Sequence, residues 1–194
     1  MFVTEAKMAD ELMKTKWQIA FKLLDFNKDG VLSSADRDEC KESFQKIYQP
    51  SGPGMNKMMS NLDDFWEKSL FLNNPVDWSK SLTLTDFMTS RRKLYNEDKA
   101  AIRDIVKAAT IKLVEAADTD GKGKFSFEDF KKLHVAANQT DELFIKAMYD
   151  VIGYDADGVI ASESIEEFYT ELTMGSDVDK HAKYLAAFSA AGFL

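Results

Sequence analysis

The sequence predicts an all-α protein in which four helix–loop–helix units, arranged in two pairs, form one compact globule. Apolar residues recur at helical spacing along most of the chain. Between these segments a twelve-residue loop pattern recurs, with glycine favoured at its sixth position and an apolar residue at its eighth. A length of 194 residues and a hydrophobic content of 45% can fill a core without crosslinks.

The predicted helices follow from the spacing of the apolar residues and from the few breaks between them. Trp17, Phe21 and Leu24 lie on one helical face just before the first loop. The clearest irregular connection is "QPSGPG" at 49–54, where proline and glycine positions crowd together. It separates a first helical region from the rest of the chain.

The loop pattern occurs four times and is the main sign of the architecture. Its eighth residue is apolar in every copy, and in such a unit this residue forms a short strand that pairs with the partner loop. We therefore expect a short loop–loop β bridge within each pair of units. The copies are 25–36, 75–86, 118–129 and 153–164, with Leu32, Leu82, Phe125 and Ile160 as their eighth residues.

The repeat divides the chain into an N-terminal pair in residues 1–95 and a C-terminal pair in residues 96–175. In each pair we expect the second unit to be degenerate. The remaining segment, 176–194, starts with the helix-cap sequence "SDVD" and continues amphipathically through Tyr184 and Phe188. We expect it to pack across the domain as a lid, with an exposed partner-binding helix as the alternative.

The first loop, "DFNKDGVLSSAD", has an oxygen donor at each position where a hard cation needs one. Ca²⁺ and Mg²⁺ bind oxygen, and one short loop must surround the ion from several sides. Gly30 permits the sharp turn at the sixth position, and the seventh residue offers its backbone carbonyl. The predicted ligands of this loop are Asp25, Asn27, Asp29, Val31, Ser33 and Asp36.

The twelfth position of the first loop is an aspartate where glutamate is usual. The shorter side chain of Asp36 favours contact through one oxygen, which lowers the coordination number toward six. Such a shell suits Mg²⁺ and weakens Ca²⁺ binding, so we expect Mg²⁺ to compete with Ca²⁺. Asp86 and Asp129 hold the same position in the second and third loops.

The third loop, "DTDGKGKFSFED", has most of the ligand set but carries Lys122 at its fifth position. An ammonium has no lone pair and repels the ion, so we expect Lys122 to swing outward and leave water in its place. The residues leave open whether this loop binds; if it does, binding should be weaker than in the first loop. Its candidate ligands are Asp118, Asp120, Lys124 through its backbone carbonyl, Ser126 and Asp129.

The second and fourth loops are predicted to be structural units that bind no metal tightly. The second has Pro75 first and Lys80 in the place of glycine. The fourth has Gly153 first and Ser164 last, so two anchoring carboxylates are missing.

These loops give the chain a resemblance to the EF-hand superfamily. Its length, its four units and its long first connection resemble the invertebrate sarcoplasmic calcium-binding proteins and their relatives, the luciferin-binding proteins and calcium-activated photoproteins. The resemblance covers roughly residues 10–175. It implies a single globule whose two halves bury each other, and a C-terminal segment packed as a lid.

Composition and charge indicate which classes of partner and which cell compartment to expect. A net charge of −8 argues against nucleic acid and anionic membranes and favours divalent cations. Cys40 is the lone cysteine, the start has no apolar signal core, and no apolar run is long enough for a membrane span. We expect a cytoplasmic monomer. With one cysteine and two histidines, arrangements of nucleophile and base are scarce, so an enzyme is not expected.

The leading functional hypothesis is a sarcoplasmic-type Ca²⁺ buffer with one or two working sites. The alternative is a carrier of an apolar small molecule, in which the metal regulates release or stabilises the fold and tryptophans and methionines line a cavity. A sensor, which exposes an apolar groove on loading, is a third hypothesis. Photoproteins of this superfamily use histidines against their luciferin. Only His134 and His181 are present here and neither precedes the first loop, which argues against bioluminescence.

Overall fold

The computed structural model describes the backbone of residues 5–192 and the side chains of residues 11–192. Within that range the chain is mostly helical, as predicted, with two short strand pairs. The outermost parts of the predicted segments 1–95 and 176–194, at residues 1–4 and 193–194, lie outside the described residues. The helices are α1 Glu5–Leu24, α2 Ser34–Tyr48, α3 Pro53–Phe71, α4 Leu84–Glu97, α5 Lys99–Ala117, α6 Phe127–Ala136, α7 Glu142–Ile152, α8 Ser162–Met174 and α9 Val178–Ala190; the strands are β1 Val31–Leu32, β2 Leu82–Thr83, β3 Lys124–Phe125 and β4 Ile160–Ala161.

The loops pair through the residues that the repeat pattern singled out. Strands β1 and β2 are antiparallel with Leu32 opposite Leu82, and strands β3 and β4 are antiparallel with Phe125 opposite Ile160. The predicted loop–loop bridges are therefore confirmed. Three of these side chains are buried and Leu82 is half-buried, so the bridges anchor each pair of loops to the core.

The helices that leave the first three loops begin with the same device. In each, the ninth loop residue is the N-cap and the twelfth is an aspartate at the third helical position, and the two form a reciprocal capping box. The twelfth-position aspartate therefore stabilises the fold whether or not its loop binds a cation. Helix α8, after the fourth loop, has Ala161 as N-cap and no side-chain cap.

The irregular connection at 49–54 lies where the sequence placed it. Gln49 ends α2 in the left-handed conformation with φ of 48°. Gly52 precedes α3 with φ of 53°, and Pro53 is the first helical residue. Proline suits that position because its fixed φ matches the helix and its missing N–H would have no helical partner.

The core lies between the two halves of the chain. Helix α3 packs against α5, α5 against α8, and α1 also against α8. Trp17 of α1 and Trp66 of α3 are both only 1% exposed at the centre of this packing. The two pairs therefore form one globule, as predicted.

The C-terminal segment is a packed helix. Helix α9 lies against α7 and α8, and its Phe188 ring is 5.0 Å from that of Phe144. The Tyr184 ring is 4.9 Å from that of Phe168 in α8. None of the helices in the described part of the chain is long and apolar enough to cross a membrane.

Candidate metal-binding loops and an interior cavity

The backbone of the first loop is wound around the carboxylate of its first residue. Lys28 and Gly30, at the fourth and sixth positions, have φ of 60° and 87°. This conformation turns the N–H groups of Asp29 and Gly30 toward the Asp25 carboxylate, which accepts both at 3.1 Å. A residue with a side chain would be strained at the φ of 87° found at Gly30, so glycine at the sixth position favours this turn.

The next two candidate ligands are held by the same loop. The Asn27 side-chain oxygen accepts from the N–H of Asp29 at 3.0 Å, and Asn27 Nδ2 donates to Asp29 Oδ2 at 3.0 Å. The other Asp29 oxygen accepts from the N–H of Val31 at 2.9 Å. Each of these oxygens has a second lone pair, so the hydrogen bonds do not exclude a cation.

Asp36 occupies a different environment from the other candidate ligands. Its side chain is fully buried, and Oδ1 accepts from the N–H groups of Phe26 at 2.9 Å and Asn27 at 3.2 Å. Oδ2 accepts from the N–H of Ser33 at 2.8 Å. Burial raises the pKa of this carboxyl, while the three N–H groups act in the opposite direction.

The donor set of the first loop fits a hard cation, but the carboxylates do not converge on one point. Across the described side chains, no three acidic, histidine or cysteine groups lie close enough together to hold a metal ion. Asp36 is turned toward the backbone of the loop, as its contacts with Phe26 and Asn27 show. Binding a cation through Asp36 would require part of this hydrogen bonding to be exchanged for the ion. The ligand assignment therefore stays a prediction.

The third loop repeats the winding of the first. Gly121 and Gly123, at its fourth and sixth positions, have φ of 69° and 64°. The Asp118 carboxylate accepts from the N–H groups of Lys122 at 3.2 Å and Gly123 at 3.0 Å. Loops one and three thus share a turn geometry that places the first carboxylate over the loop backbone.

The exposed side chain of Lys122 pairs with a candidate ligand of the loop. Its ammonium lies 2.5 Å from Oδ2 of Asp120, the residue at the third ligand position. The pairing arises because an exposed cation finds a carboxylate two residues away. The expectation that Lys122 swings outward applies to a loop that holds an ion, and it stays a prediction. The hydrogen bond from Lys122 is the main cause of a lowered pKa of Asp120. The Lys122 ammonium neutralises part of the negative charge that would otherwise attract a metal ion to the loop.

The second and fourth loops differ from this geometry in the way the sequence predicts. None of the described residues 75–86 has positive φ, so the second loop has lost the glycine turn. In it, Asp77 pairs with Lys80 at 3.0 Å. The fourth loop keeps the turn at Gly158, with φ of 73°, but its first position, Gly153, has no carboxylate for the turn to surround.

Comparisons with known proteins fit this architecture. No protein-family model matches the chain. The sarcoplasmic calcium-binding protein of Mizuhopecten yessoensis is 19% identical over 180 residues, which cover 93% of this chain and 99% of that protein. The Ca²⁺-regulated photoprotein mitrocomin from the jellyfish Mitrocoma cellularia superposes with a TM-score of 0.67 at 14% identity, covering 92% of this chain and 91% of mitrocomin. The chain has the EF-hand fold.

A second solved structure also shares this fold. The coelenterazine-binding protein from Renilla muelleri, in its Ca-loaded apo form, superposes with a TM-score of 0.63 at 18% identity, covering 90% of this chain and 93% of that one. The resemblance to the EF-hand superfamily is therefore confirmed. At these identities the superpositions establish the fold, while the ligands of the relatives remain properties of those proteins.

The interior of this fold contains a cavity of about 120 Å³. Its wall is mostly apolar and is drawn from both halves of the chain, with Trp17 and Trp66 from α1 and α3 and Val106 from α5. Two of the three tryptophans therefore line a cavity, whereas Trp78 does not and packs its ring 5.0 Å from that of Phe71. Of the nine methionines, Met174 is on the wall.

His134 contributes a fixed polar group to the cavity wall. Its Nδ1 is 2.7 Å from the carbonyl of Phe130, which can only accept, so Nδ1 carries the proton. The Nε2 atom then accepts from the hydroxyl of Tyr169, another wall residue. Burial lowers the pKa of His134 to about 4, so the ring is neutral at physiological pH.

Arg91 is the wall residue that sequence reasoning missed. It lies in "SRRKL" among three consecutive basic residues, a pattern that is typical of a solvent-exposed helix face. In the structure Arg91 is 4% exposed and lines the cavity. The signal in the sequence was its spacing of four from Phe87, which puts both residues on the same face of α4.

Proposed function

We propose that this chain binds Ca²⁺ in the cytoplasm, with Mg²⁺ as a competitor, and that it acts as a monomeric buffer. The observation that carries the proposal is the first loop, where oxygen donors fill the ligand positions and the turn at Gly30 wraps the backbone around Asp25. The third loop has the same turn and is the second, weaker site because Lys122 pairs with Asp120. The sarcoplasmic calcium-binding relative supports the same reading.

A buffer is favoured over a sensor by the way the two halves pack. A sensor needs an apolar groove that opens to a target helix on loading. Here α3 of one half packs along α5 of the other, which leaves the apolar faces covered. The large apolar residues that are exposed in the described chain are scattered over different elements: Val76, Leu143, Tyr154 and Val178.

Binding, and not catalysis, is the role that these residues support. The acidic residues of the loops serve as candidate ligands and helix caps, and the two histidines are buried. His134 is held by the carbonyl of Phe130 and the hydroxyl of Tyr169, with no serine or cysteine among its hydrogen-bond partners in the described chain.

Equilibrium dialysis of the metal-stripped protein against Ca²⁺, combined with fluorescence of an apolar dye, tests the proposal. A buffer binds one or two Ca²⁺ per chain without a large rise in dye fluorescence. Binding that comes with strong dye fluorescence would identify a sensor, and no bound Ca²⁺ would refute the metal-binding role.

The cavity supports a second candidate function, the carriage of an apolar small molecule. A cavity of about 120 Å³ approaches the ~150 Å³ of an engineered apolar cavity that binds benzene. Its aromatic wall supplies the contact area that such a ligand needs. Native mass spectrometry of the protein purified from its own source tests this function, because a carrier would retain a bound organic molecule and a pure buffer would not.

A further inference from the structure

Three buried polar atoms of the cavity wall find no partner in the described chain, and all three are donors. The indole N–H of Trp17, the indole N–H of Trp66 and Nη1 of Arg91 are buried without a hydrogen bond. The Trp66 side chain lies beside the thiol of Cys40, a weak acceptor, but makes no bond of normal geometry. Indole and guanidinium nitrogens cannot accept, so what completes this wall must be an acceptor.

Among these unpartnered donors, the one at Arg91 destabilises the fold most, because it belongs to a charged group. Its Nη2 donates to the carbonyl of Ser69, and the guanidinium lies 3.3 Å above the centre of the Phe87 ring. No carboxylate of the described chain pairs with it, and burial alone lowers its pKa to about 9. The group is therefore still cationic at neutral pH. A buried cation without a counter-ion is destabilising, because burial removes its hydration and no carboxylate offsets that loss.

Three further polar residues of the wall, Thr110, Thr173 and His134, are satisfied within the protein. The Thr110 hydroxyl donates to the carbonyl of Val106, and the Thr173 hydroxyl to that of Tyr169. His134 uses both ring nitrogens. Among the fully buried wall atoms of the described chain, the unmet demand is for acceptors, and Arg91 is the charged donor.

We propose that the cavity binds a small monocarboxylate with an apolar body, whose carboxylate pairs with Arg91 and whose body lies against Trp17 and Trp66. Carboxylate matches guanidinium in charge and in fork geometry. A cavity of about 120 Å³ suits a body of one aromatic ring or a short acyl chain. This inference rests on the carrier function proposed above and adds the charge and size of the ligand.

Phenylacetate and its neutral counterpart phenylacetamide form the first test, since they differ in charge and little in shape. Calorimetry and tryptophan fluorescence of the full chain at neutral pH should show saturable binding of phenylacetate. We expect phenylacetamide to bind at least about tenfold more weakly, the loss that follows when a charged acceptor is replaced by a neutral one. Acetate, which has no apolar body, should bind more weakly still.

Variants of two neighbouring arginines form the second test. Arg91→Met should reduce the affinity for phenylacetate to that for phenylacetamide. Arg92→Met removes the same charge from a partly exposed position of the same helix and should leave both affinities unchanged. If Arg91→Met fails to fold, the comparison of the two ligands on the unsubstituted chain still decides.

The outcomes separate this inference from the carrier function. Equal affinities for phenylacetate and phenylacetamide would overturn the role of Arg91 while leaving a carrier of apolar molecules. Acetate binding as tightly as phenylacetate would overturn it in favour of a simple anion site. Failure of every probe at millimolar concentration would overturn the inference, whereas the carrier function is overturned only if native mass spectrometry also finds no bound organic molecule.

Discussion

The carboxylate of Asp36 accepts a hydrogen bond from the backbone N–H of Phe26 at 2.9 Å, and the Phe26 side chain lines the interior cavity. The same Phe26 offers its carbonyl to the side-chain N–H of Asn138, at the end of α6. One residue thus joins the twelfth position of the first loop, the cavity and the C-terminal half.

From this link we expect Ca²⁺ and a cavity ligand to affect each other. An Asp36 oxygen that ligates a cation holds the N–H of Phe26 less firmly, so saturating Ca²⁺ should weaken phenylacetate binding, by about fivefold or more. Calorimetric titration of phenylacetate with and without Ca²⁺ measures the effect. By reciprocity the ligand must weaken Ca²⁺ by the same factor; identical affinities in both buffers would show that the sites are independent.

Replacing Asp36 with alanine should destabilise the metal-free protein more than the matching change at Asp86. Both residues complete a capping box, but Asp36 is buried and also holds the N–H groups of Phe26 and Asn27. Losing a cap and leaving buried N–H groups unpaired should cost Asp36→Ala on the order of 3 kcal/mol. Urea unfolding in the presence of a chelator compares the variants; equal losses would mean that the contacts with Phe26 and Asn27 add nothing.

Replacing Lys122 with aspartate should strengthen Ca²⁺ binding at the third loop by about tenfold or more, because it removes a cation and adds a ligand. Lys80→Asp is the matched control: it makes the same charge change and also breaks an ion pair within a loop, but that loop begins with Pro75. Equilibrium dialysis measures both. An equal gain in Ca²⁺ affinity in the two variants would mean that the change in net charge alone, and not a new ligand, strengthens binding.

His134 should make the protein lose stability as the pH falls. Its pKa is about 4 in the folded chain, against about 6.5 when unfolded, so the unfolded chain takes up the proton first. His134 therefore leaves the free energy of unfolding unchanged above about pH 6.5. As the pH falls toward 4, His134 lowers the free energy of unfolding by up to about 3 kcal/mol.

Urea unfolding across this pH range, for the unsubstituted chain and for His134→Gln, isolates the effect. The carboxylates titrate in both proteins, so their contribution cancels in the difference. The free energy of unfolding should fall less steeply with decreasing pH in the variant than in the unsubstituted chain. Parallel plots of that free energy against pH would rule out His134 as the titrating group.

The sequence was sufficient for the fold because the fold depends on local patterns. Leu32 and Phe125 could be assigned to the loop bridges because the eighth position of such a loop has one structural role. Asp36 and Asp129 hold identical positions in the repeat, yet Asp36 is buried and Asp129 is exposed. That difference comes from neighbouring elements, which a loop sequence does not contain.

The cavity shows the same limit. Arg91 and Arg92 are adjacent and chemically identical, and only the packing of α4 against the core makes one of them part of the cavity wall. Likewise, the pairing of Lys122 with Asp120 depends on a side-chain conformation that the loop pattern does not specify. Patterns along the chain predict elements, whereas contacts between elements decide the chemistry of individual groups.

A calorimetric Ca²⁺ titration of the metal-stripped protein, with and without Mg²⁺, tests the central claim most directly when Asp25→Asn is compared with Asp77→Asn. Each variant removes one negative charge from a loop, the first from the proposed main site and the second from a degenerate loop. The account predicts one or two sites that Mg²⁺ competes for, loss of the tightest site in Asp25→Asn, and unchanged binding in Asp77→Asn. Absence of binding in the unsubstituted chain, or equal losses in the two variants, would contradict it.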